Sequence, residues 1–179
     1  MEKNLITVTT VFDDSNQPFA AEIYQEKVIK MTSEEAFQKG ADLLCAIAVA
    51  QAEFNILKSL VKKGFGNTKS QKNFVQKRKK LITQRPPLPD TINPIYGAKT
   101  NTPLVEYFLE DVKLTLHFDT ANFHARSLIE VSEVVKTDLY LSSFMRDKIN
   151  LTDKEIAIWL GDFRLYRDQT KLENLYGHS

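Results

Sequence analysis

Cysteine is nearly absent from this chain of 179 residues, which contains only Cys45. A single thiol excludes an internal disulfide bond and a cysteine-rich zinc site. Cys45 lies within the apolar run Leu43–Ala50, where it is typical of a small core residue and not of a nucleophile. This composition suits a reducing compartment, and we expect the protein to be cytoplasmic.

Long hydrophobic runs are also lacking. The most apolar stretch, Leu43–Ala50, has eight residues, whereas a helix needs about 20 to cross a bilayer. The first residues, Met1–Phe12, include Glu2 and several threonines where a signal peptide would require an apolar centre. We therefore expect a soluble protein with no membrane partner.

Acidic residues are missing from the whole interval between Glu53 and Asp90. The same interval contains ten basic residues, namely Lys58, Lys62, Lys63, Lys69, Lys72, Lys77, Arg78, Lys79, Lys80 and Arg85. The rest of the chain then has 24 − 10 = 14 basic residues against 23 acidic ones, a net charge of −9, although the formal total is +1. The charges are segregated along the chain, and this asymmetry says more about binding partners than the total does.

A threonine followed three residues later by a glutamate or glutamine predicts the start of three helices. The pairs are Thr32 with Glu35, Thr68 with Gln71, and Thr152 with Glu155. Each pair can form a capping box, in which the two side chains bond each other's backbone N–H groups. We expect the first helix to end at Gly64–Asn67, because glycine and asparagine tolerate the left-handed conformation of helix ends. The second helix is predicted to reach about Gln84.

Side-chain alternation and proline content predict the remaining elements. Residues 4–12 are rich in β-branched side chains, which favours a strand in a hairpin within residues 4–30. Five of the six prolines lie within residues 86–103, which predicts a connection without a helix. The other predicted elements are a short helix over Leu104–Glu110, a strand over Val112–Phe118, and a long helix from Asp119 or Thr120. The last helix, which opens at Thr152, is predicted to have an apolar stripe of Ile156, Trp159, Leu160, Phe163 and Tyr166.

We therefore predict a mainly α protein, a helical bundle of four to five helices with a small N-terminal β-hairpin and one further short strand over residues 111–118. No internal repeat is visible in the sequence. The chain is predicted to be a single domain over residues 1–179. Its parts are a β-rich N-terminal arm at 4–30, a helical body at 32–169 and a proline-rich connection at 86–103.

The basic interval is the main functional feature of the sequence. A helix from Thr68 to Gln84 places four apolar side chains on one side and five lysines on the other. Five like charges on one face repel one another, whereas nucleic-acid phosphates would neutralise them and release counterions. The residues predicted to bind nucleic acid are Lys62, Lys63, Phe65, Lys69, Lys72, Lys77, Lys79 and Lys80.

These features predict a non-catalytic binding protein that engages a polyanion, most simply a nucleic-acid backbone, through the basic helix. The alternative is an oligomeric subunit or adaptor whose basic face docks on an acidic protein surface, either of a partner or of a second copy in a homo-oligomer. A nucleotide-binding P-loop is not indicated at Gly64–Ser70. Thr68 stands where the pattern requires glycine, and a helix is predicted before the loop in place of a strand.

Three polar residues, His117, Asp119 and His124, are the candidates for a catalytic or metal site. The sequence has no His-x-x-x-His or Glu-x-x-His pair of the kind that binds zinc or di-metal centres on helices. We favour surface or capping roles for the histidines and predict no catalytic residue, no metal and no cofactor. Glu53 and Arg78 are predicted to form a structural ion pair at the core.

Overall fold

The computed structural model describes residues 6–62, 88–97 and 102–176. Within these ranges the chain forms six strands and three helices. The strands are β1 (Thr7–Phe12), β2 (Pro18–Tyr24), β3 (Lys27–Met31), β4 (Ile92–Gly97), β5 (Thr102–Leu109) and β6 (Val112–His117). The helices are α1 (Ser33–Lys62), α2 (Phe118–Ile149) and α3 (Asp153–Tyr176).

The prediction of a bundle of four to five helices is wrong. The described residues contain three helices and two three-stranded antiparallel sheets, so the protein mixes α and β structure. Sheet A has the strand order β1-β2-β3, and sheet B has the order β4-β5-β6. The predicted N-terminal hairpin is therefore part of a larger sheet, and the predicted strand over residues 111–118 is the last strand of sheet B.

The short helix predicted over Leu104–Glu110 is also wrong, because these residues lie mainly in β5. Buried and half-exposed side chains alternate strictly along β5, and the buried ones are Pro103, Val105, Tyr107 and Leu109. A period of two is the pattern of a strand with one covered face. The apolar residues at positions 104, 105, 107 and 108 also fit a helical period, so a segment this short is ambiguous in the sequence.

Sheet B also takes up part of the predicted proline-rich connection. β4 includes Pro94, which pairs in register with Val105 of β5. Proline has no backbone N–H to donate to a neighbouring strand, and it is tolerated here because β4 is an edge strand of sheet B with a partner strand on one side only.

The capping boxes predicted for α1 and α3 are confirmed. Glu35 donates its backbone N–H to Thr32 Oγ1 at 3.2 Å, and Thr32 donates its N–H to Glu35 Oε2 at 2.8 Å. Thr152 and Glu155 make the same pair of bonds at 3.4 and 2.8 Å. The third predicted box, Thr68 with Gln71, lies outside the described residues.

The capping hydrogen bonds favour the charged form of both glutamates. The Thr32 backbone and then its hydroxyl lower the pKa of Glu35 from its usual value of 4.5. For Glu155, the Thr152 hydroxyl and then its backbone lower the pKa in the same way. A carboxylate with a depressed folded-state pKa stabilises the fold above the unfolded value of 4.5. That stabilisation is lost as the pH falls through the folded-state pKa.

Replacing Thr32 by alanine is expected to destabilise the protein by about 1 kcal/mol, because the cap hydroxyl that satisfies a helix N–H is lost. Urea denaturation followed by circular dichroism measures the effect. Thr137→Ala is the matched control, since Thr137 is exposed within α2 and bonds the Glu133 carbonyl of its own helix. Thr137→Ala should be neutral or slightly stabilising. Equal losses for both variants would contradict a capping role for Thr32.

The chain divides into two compact units, each with its own core. The first unit comprises Met1–Phe37 with Glu130–Ser179 and contains sheet A, the second half of α2 and α3. Its buried apolar residues include Ala20, Ala21, Tyr24, Met31, Val135, Ile156 and Leu160. The second unit, Gln38–Ile129, contains sheet B, most of α1 and the start of α2. Its buried apolar residues include Leu43, Ala46, Ile92, Val105, Tyr107, Leu109, Ala125 and Leu128.

Helix α1 is unusually apolar. By length and composition alone, Ser33–Ser59 could cross a membrane, a test that core helices of soluble proteins also pass. In the second unit, α1 packs closely on α2, since a Cβ atom added at Gly40 would lie 2.8 Å from the Ala125 carbonyl oxygen and 2.8 Å from Ile129 Cγ1. Gly40 is therefore a close-approach glycine, and this face of α1 is a packing surface.

An internal repeat, invisible in the sequence, appears in the element order. Three antiparallel strands and a long helix occur twice, as β1-β2-β3-α1 and β4-β5-β6-α2. Gln25 and Glu110, 110 − 25 = 85 positions apart, open the two β-β turns and both have φ angles in the left-handed region, 55° and 52°. That region is uncommon for residues other than glycine. The same shift of 85 relates Gly40 to Ala125, so equivalent positions of the two long helices face each other.

Candidate functional site

The predicted nucleic-acid-binding residues lie at or beyond the limit of the described chain. Lys62 is the last residue of α1. The others, Lys63, Phe65, Lys69, Lys72, Lys77, Lys79 and Lys80, lie outside the described residues. Lys58 is exposed near the end of α1, with its Nζ 5.8 Å from the centroid of the Phe54 ring. The first two basic residues of the interval, Lys58 and Lys62, therefore lie on the last turns of α1.

The predicted ion pair of Glu53 with Arg78 stays a prediction, because Arg78 lies outside the described residues. Glu53 itself is half-buried on α1.

A buried polar cluster surrounds Tyr107 in the second unit. Tyr107 is fully buried, and its hydroxyl lies 3.4 Å from Nε2 of His124, which is also buried. The two rings meet edge to face with their centroids 5.2 Å apart. Lys39 places its Nζ 5.0 Å from the centre of the Tyr107 ring. A cation near the ring and an edge-to-face pair of rings are both favourable interactions of an aromatic side chain, so this cluster stabilises the core of the unit.

The three candidate catalytic residues do not share one environment. His117 Nδ1 lies 3.4 Å from Asp119 Oδ2 at the start of α2, where the His117 side chain is 41% exposed and that of Asp119 is 74% exposed. His124 instead faces Tyr107 in the core, so the expected surface or capping role does not apply to it. Among the described residues, no group of three or more His, Cys, Asp or Glu side chains could hold a metal ion. The geometry therefore gives no support to a catalytic role for this trio.

A buried ion pair joins α2 to α3 in the first unit. The guanidinium of Arg164 donates from Nε and Nη2 to Oδ2 of Asp138, the Nε bond being 2.9 Å long. The side chain of Asp138 is 1% exposed and that of Arg164 is 14% exposed. The guanidinium carbon also lies 4.6 Å from the centroid of the Phe12 ring on β1. Arg164 thus connects α3 with both α2 and sheet A.

The carboxylate of Asp138 is only half satisfied within the described part of the chain. Its Oδ1 is buried and meets no hydrogen-bond donor there. The nearby Ser142 hydroxyl donates to the Asp138 backbone carbonyl at 2.7 Å and not to the carboxylate. Within the described residues, the guanidinium of Arg164 is therefore the main group that stabilises the buried negative charge of Asp138.

Helix α3 divides its predicted apolar stripe between the core and the surface. Ile156 and Leu160 are 1% and 0% exposed, as a core-facing stripe requires. Trp159, Phe163 and Tyr166 of the same stripe are 59%, 45% and 67% exposed, so they do not belong to the core of the unit.

Sequence reasoning missed the Asp138–Arg164 pair. A signal was available, because Asp138 follows Val135 by three residues and precedes Ser142 by four, which places it on the buried face of α2. A carboxylate at such a position needs a cationic partner. The partner is 164 − 138 = 26 residues away on another helix, and no local spacing identifies it.

Comparison with known proteins adds no assignment: no protein-family model, no curated protein and no solved structure matches this chain.

Proposed function

We propose that this protein is a non-catalytic binding protein that engages a polyanion, foremost a nucleic-acid backbone, through the basic segment, which we define as Lys58–Arg85. One observation carries the proposal: ten basic residues and no acidic residue lie between Glu53 and Asp90 in a chain whose remainder has a net charge of −9. In this proposal the protein acts in the cytoplasm, where its single thiol stays reduced.

The charge pattern favours an anionic partner on energetic grounds. Adjacent lysines within Lys77–Lys80 repel one another, and a phosphate backbone relieves that repulsion while releasing its condensed counterions. Contacts of this kind confer affinity without sequence specificity. Phe65, in the glycine-containing stretch before the predicted basic helix, adds an aromatic side chain on which an unpaired base can stack. We therefore expect binding to single strands as well as to duplexes.

Binding should be strong at low salt and should collapse as salt is added. If five lysines each neutralise one phosphate of duplex DNA, the slope of log K against log salt is roughly −4.5, and affinity falls several hundredfold between about 50 and 200 mM salt. Fluorescence anisotropy with labelled duplex DNA, single-stranded DNA and RNA measures both quantities. Undetectable binding to all three at about 50 mM salt would overturn the proposal.

Charge reversal within the segment tests the location. The triple variant Lys77→Glu, Lys79→Glu, Lys80→Glu should weaken binding by at least about tenfold and flatten the salt dependence. The matched control is Lys30→Glu, Lys136→Glu, Lys148→Glu, which makes the same charge change at three exposed lysines outside the segment. Equal losses in both triples would mean that net charge and not the segment governs binding. Binding to poly-L-glutamate without binding to nucleic acid would indicate that the partner of the segment is an acidic protein surface and not a nucleic acid.

A further inference from the structure

The outward face of α3 is unusually apolar for a surface helix. Its exposed side chains include Ile158 (57% exposed), Trp159 (59%), Phe163 (45%), Leu165 (65%) and Tyr166 (67%). Soluble proteins seldom expose a contiguous apolar patch of this kind unless it is a site of interaction. Aromatic residues, tryptophan and tyrosine above all, are also the residues that dominate the energy of protein interfaces.

Three of these side chains form a straight line along the helix. Trp159, Phe163 and Tyr166 follow one another at spacings of four and three residues, and Ile156 precedes Trp159 by three. This is the alternation of a and d positions in a heptad, with Ile156 and Phe163 at a and Trp159 and Tyr166 at d. Ile156 is buried within its own unit, whereas the three aromatic side chains project outward.

We propose that α3 is a dimerisation helix, in which the aromatic seam, defined as Trp159, Phe163 and Tyr166, packs in parallel against the same seam of a second copy of the chain. The inference is independent of the basic segment and goes beyond polyanion binding. It names the surface and the geometry of self-association.

Charge complementarity favours the second copy and the parallel orientation. In the same register, Asp162 occupies position g of one heptad and Arg167 occupies position e of the next heptad, five residues later. In a parallel pair of helices, g of one chain faces the following e of the other. Asp162 of each copy therefore faces Arg167 of the other, twice by symmetry. In an antiparallel pair centred on this seam, the two Asp162 carboxylates would face each other and repel.

The local contacts leave these charges accessible. Asp162 is exposed. Arg167 bonds its sequence neighbour Asp168, with its Nε 3.1 Å from the carboxylate, and both side chains are partly exposed. An exposed ion pair of this kind contributes little, so exchanging it for an intermolecular pair with Asp162 costs little.

The available area suits a dimer of modest size. Large apolar side chains contribute about 150–250 Å² each when buried completely. At the exposures given above, the three side chains of the aromatic seam leave on the order of 350 Å² per copy. Two copies would then bury on the order of 700 Å² from the seam, the size of a weak and reversible interface.

Molar mass in solution tests the proposal. Multi-angle light scattering after size exclusion, at micromolar concentrations, should give twice the chain mass of 20.5 kDa. Trp159→Ala should raise the dissociation constant at least about 30-fold, since tryptophan is the largest side chain of the seam and the residue type most enriched among interface hot spots. Tyr140→Ala is the matched control, because Tyr140 is 68% exposed on α2, outside the seam, and this variant should remain dimeric. Circular dichroism and thermal melting establish that both variants are folded.

A charge exchange distinguishes the proposed geometry from unspecific apolar association and does not touch the core. Asp162→Arg alone and Arg167→Asp alone should each weaken the dimer about tenfold, because each brings like charges together. The double variant Asp162→Arg, Arg167→Asp should restore the wild-type dissociation constant. Failure of the double variant to recover would overturn the parallel seam.

Three further results would also overturn the proposal. The first is a wild-type protein that remains a monomer at about 100 μM, well above the micromolar range of a functional dimer. The second is a dimer that is unaffected by Trp159→Ala, and the third is a monomer that binds vesicles of phosphatidylcholine and phosphatidylglycerol through Trp159. The last result would identify a lipid surface as the occupant of the aromatic seam.

Discussion

Replacing Arg164 by methionine is expected to destabilise the protein by about 3–5 kcal/mol, the range found when one partner of a buried ion pair is removed. The substitution keeps most of the volume of the side chain but leaves the Asp138 carboxylate, 1% exposed, without its cation. Oδ1 of Asp138 meets no donor within the described residues, so the carboxylate has little other compensation there. The contact between the guanidinium and the Phe12 ring is lost as well. Urea denaturation at neutral pH measures the loss.

Two comparisons separate this charge effect from a general sensitivity of α3. Arg146→Met, on α2, removes an exposed pair with Asp153 at the start of α3 and should cost less than about 0.5 kcal/mol. The double variant Asp138→Leu, Arg164→Met removes both charges and should recover most of the loss, because buried ion pairs can often be replaced by apolar residues at little cost. An Arg164→Met protein as stable as the wild type would show that the pair does not hold α3 in place.

Replacing Gly40 by valine is expected to destabilise the protein by about 3 kcal/mol, at the upper end of the range for overpacked cores. A Cβ atom at this position would lie 2.8 Å from the Ala125 carbonyl oxygen, 2.8 Å from Ile129 Cγ1 and 3.2 Å from Leu128 Cβ. The carbonyl belongs to the backbone of α2 and cannot turn aside as a flexible side chain would. The two helices must therefore move apart in the second unit.

The second glycine within a helix of the described chain supplies the control. Gly161 in α3 has no atom within 4 Å of its would-be Cβ. Gly161→Ala should therefore stabilise the protein by up to about 1 kcal/mol, the ordinary gain in helix propensity. Gly40→Ala should instead destabilise it, since the clash outweighs that gain. The same sign for both alanine variants would contradict close packing of α1 on α2 at Gly40.

Short-range features were predictable because their chemistry is complete within a few residues. Thr32 with Glu35, and Thr152 with Glu155, carry both partners of the capping hydrogen bonds, so the starts of α1 and α3 followed from spacing alone. The segregation of charge likewise needs only a count along the chain. It remains the basis of the proposed polyanion binding.

Sheet B shows why the fold class was not predictable in the same way. The apolar positions of Leu104–Glu110 fit a helix and a strand equally well, and the pairing of β5 with β4 and β6 decides between them. That pairing depends on residues elsewhere in the chain, including a strand that contains Pro94. The repeated element order was hidden for a related reason, because strands tolerate many sequences on the same backbone path.

By itself, the sequence determined where the first and last helices begin, the separation of basic from acidic residues, and the apolar character of α3. The tertiary structure alone decided which apolar side chains of α3 are buried, that Arg164 is the partner of Asp138, and that Gly40 lies against Ala125. The physical reason is the range of the interactions. Caps and charge runs act between neighbours in sequence, whereas ion pairs, close helix contacts and exposed aromatic faces exist only after distant segments have packed.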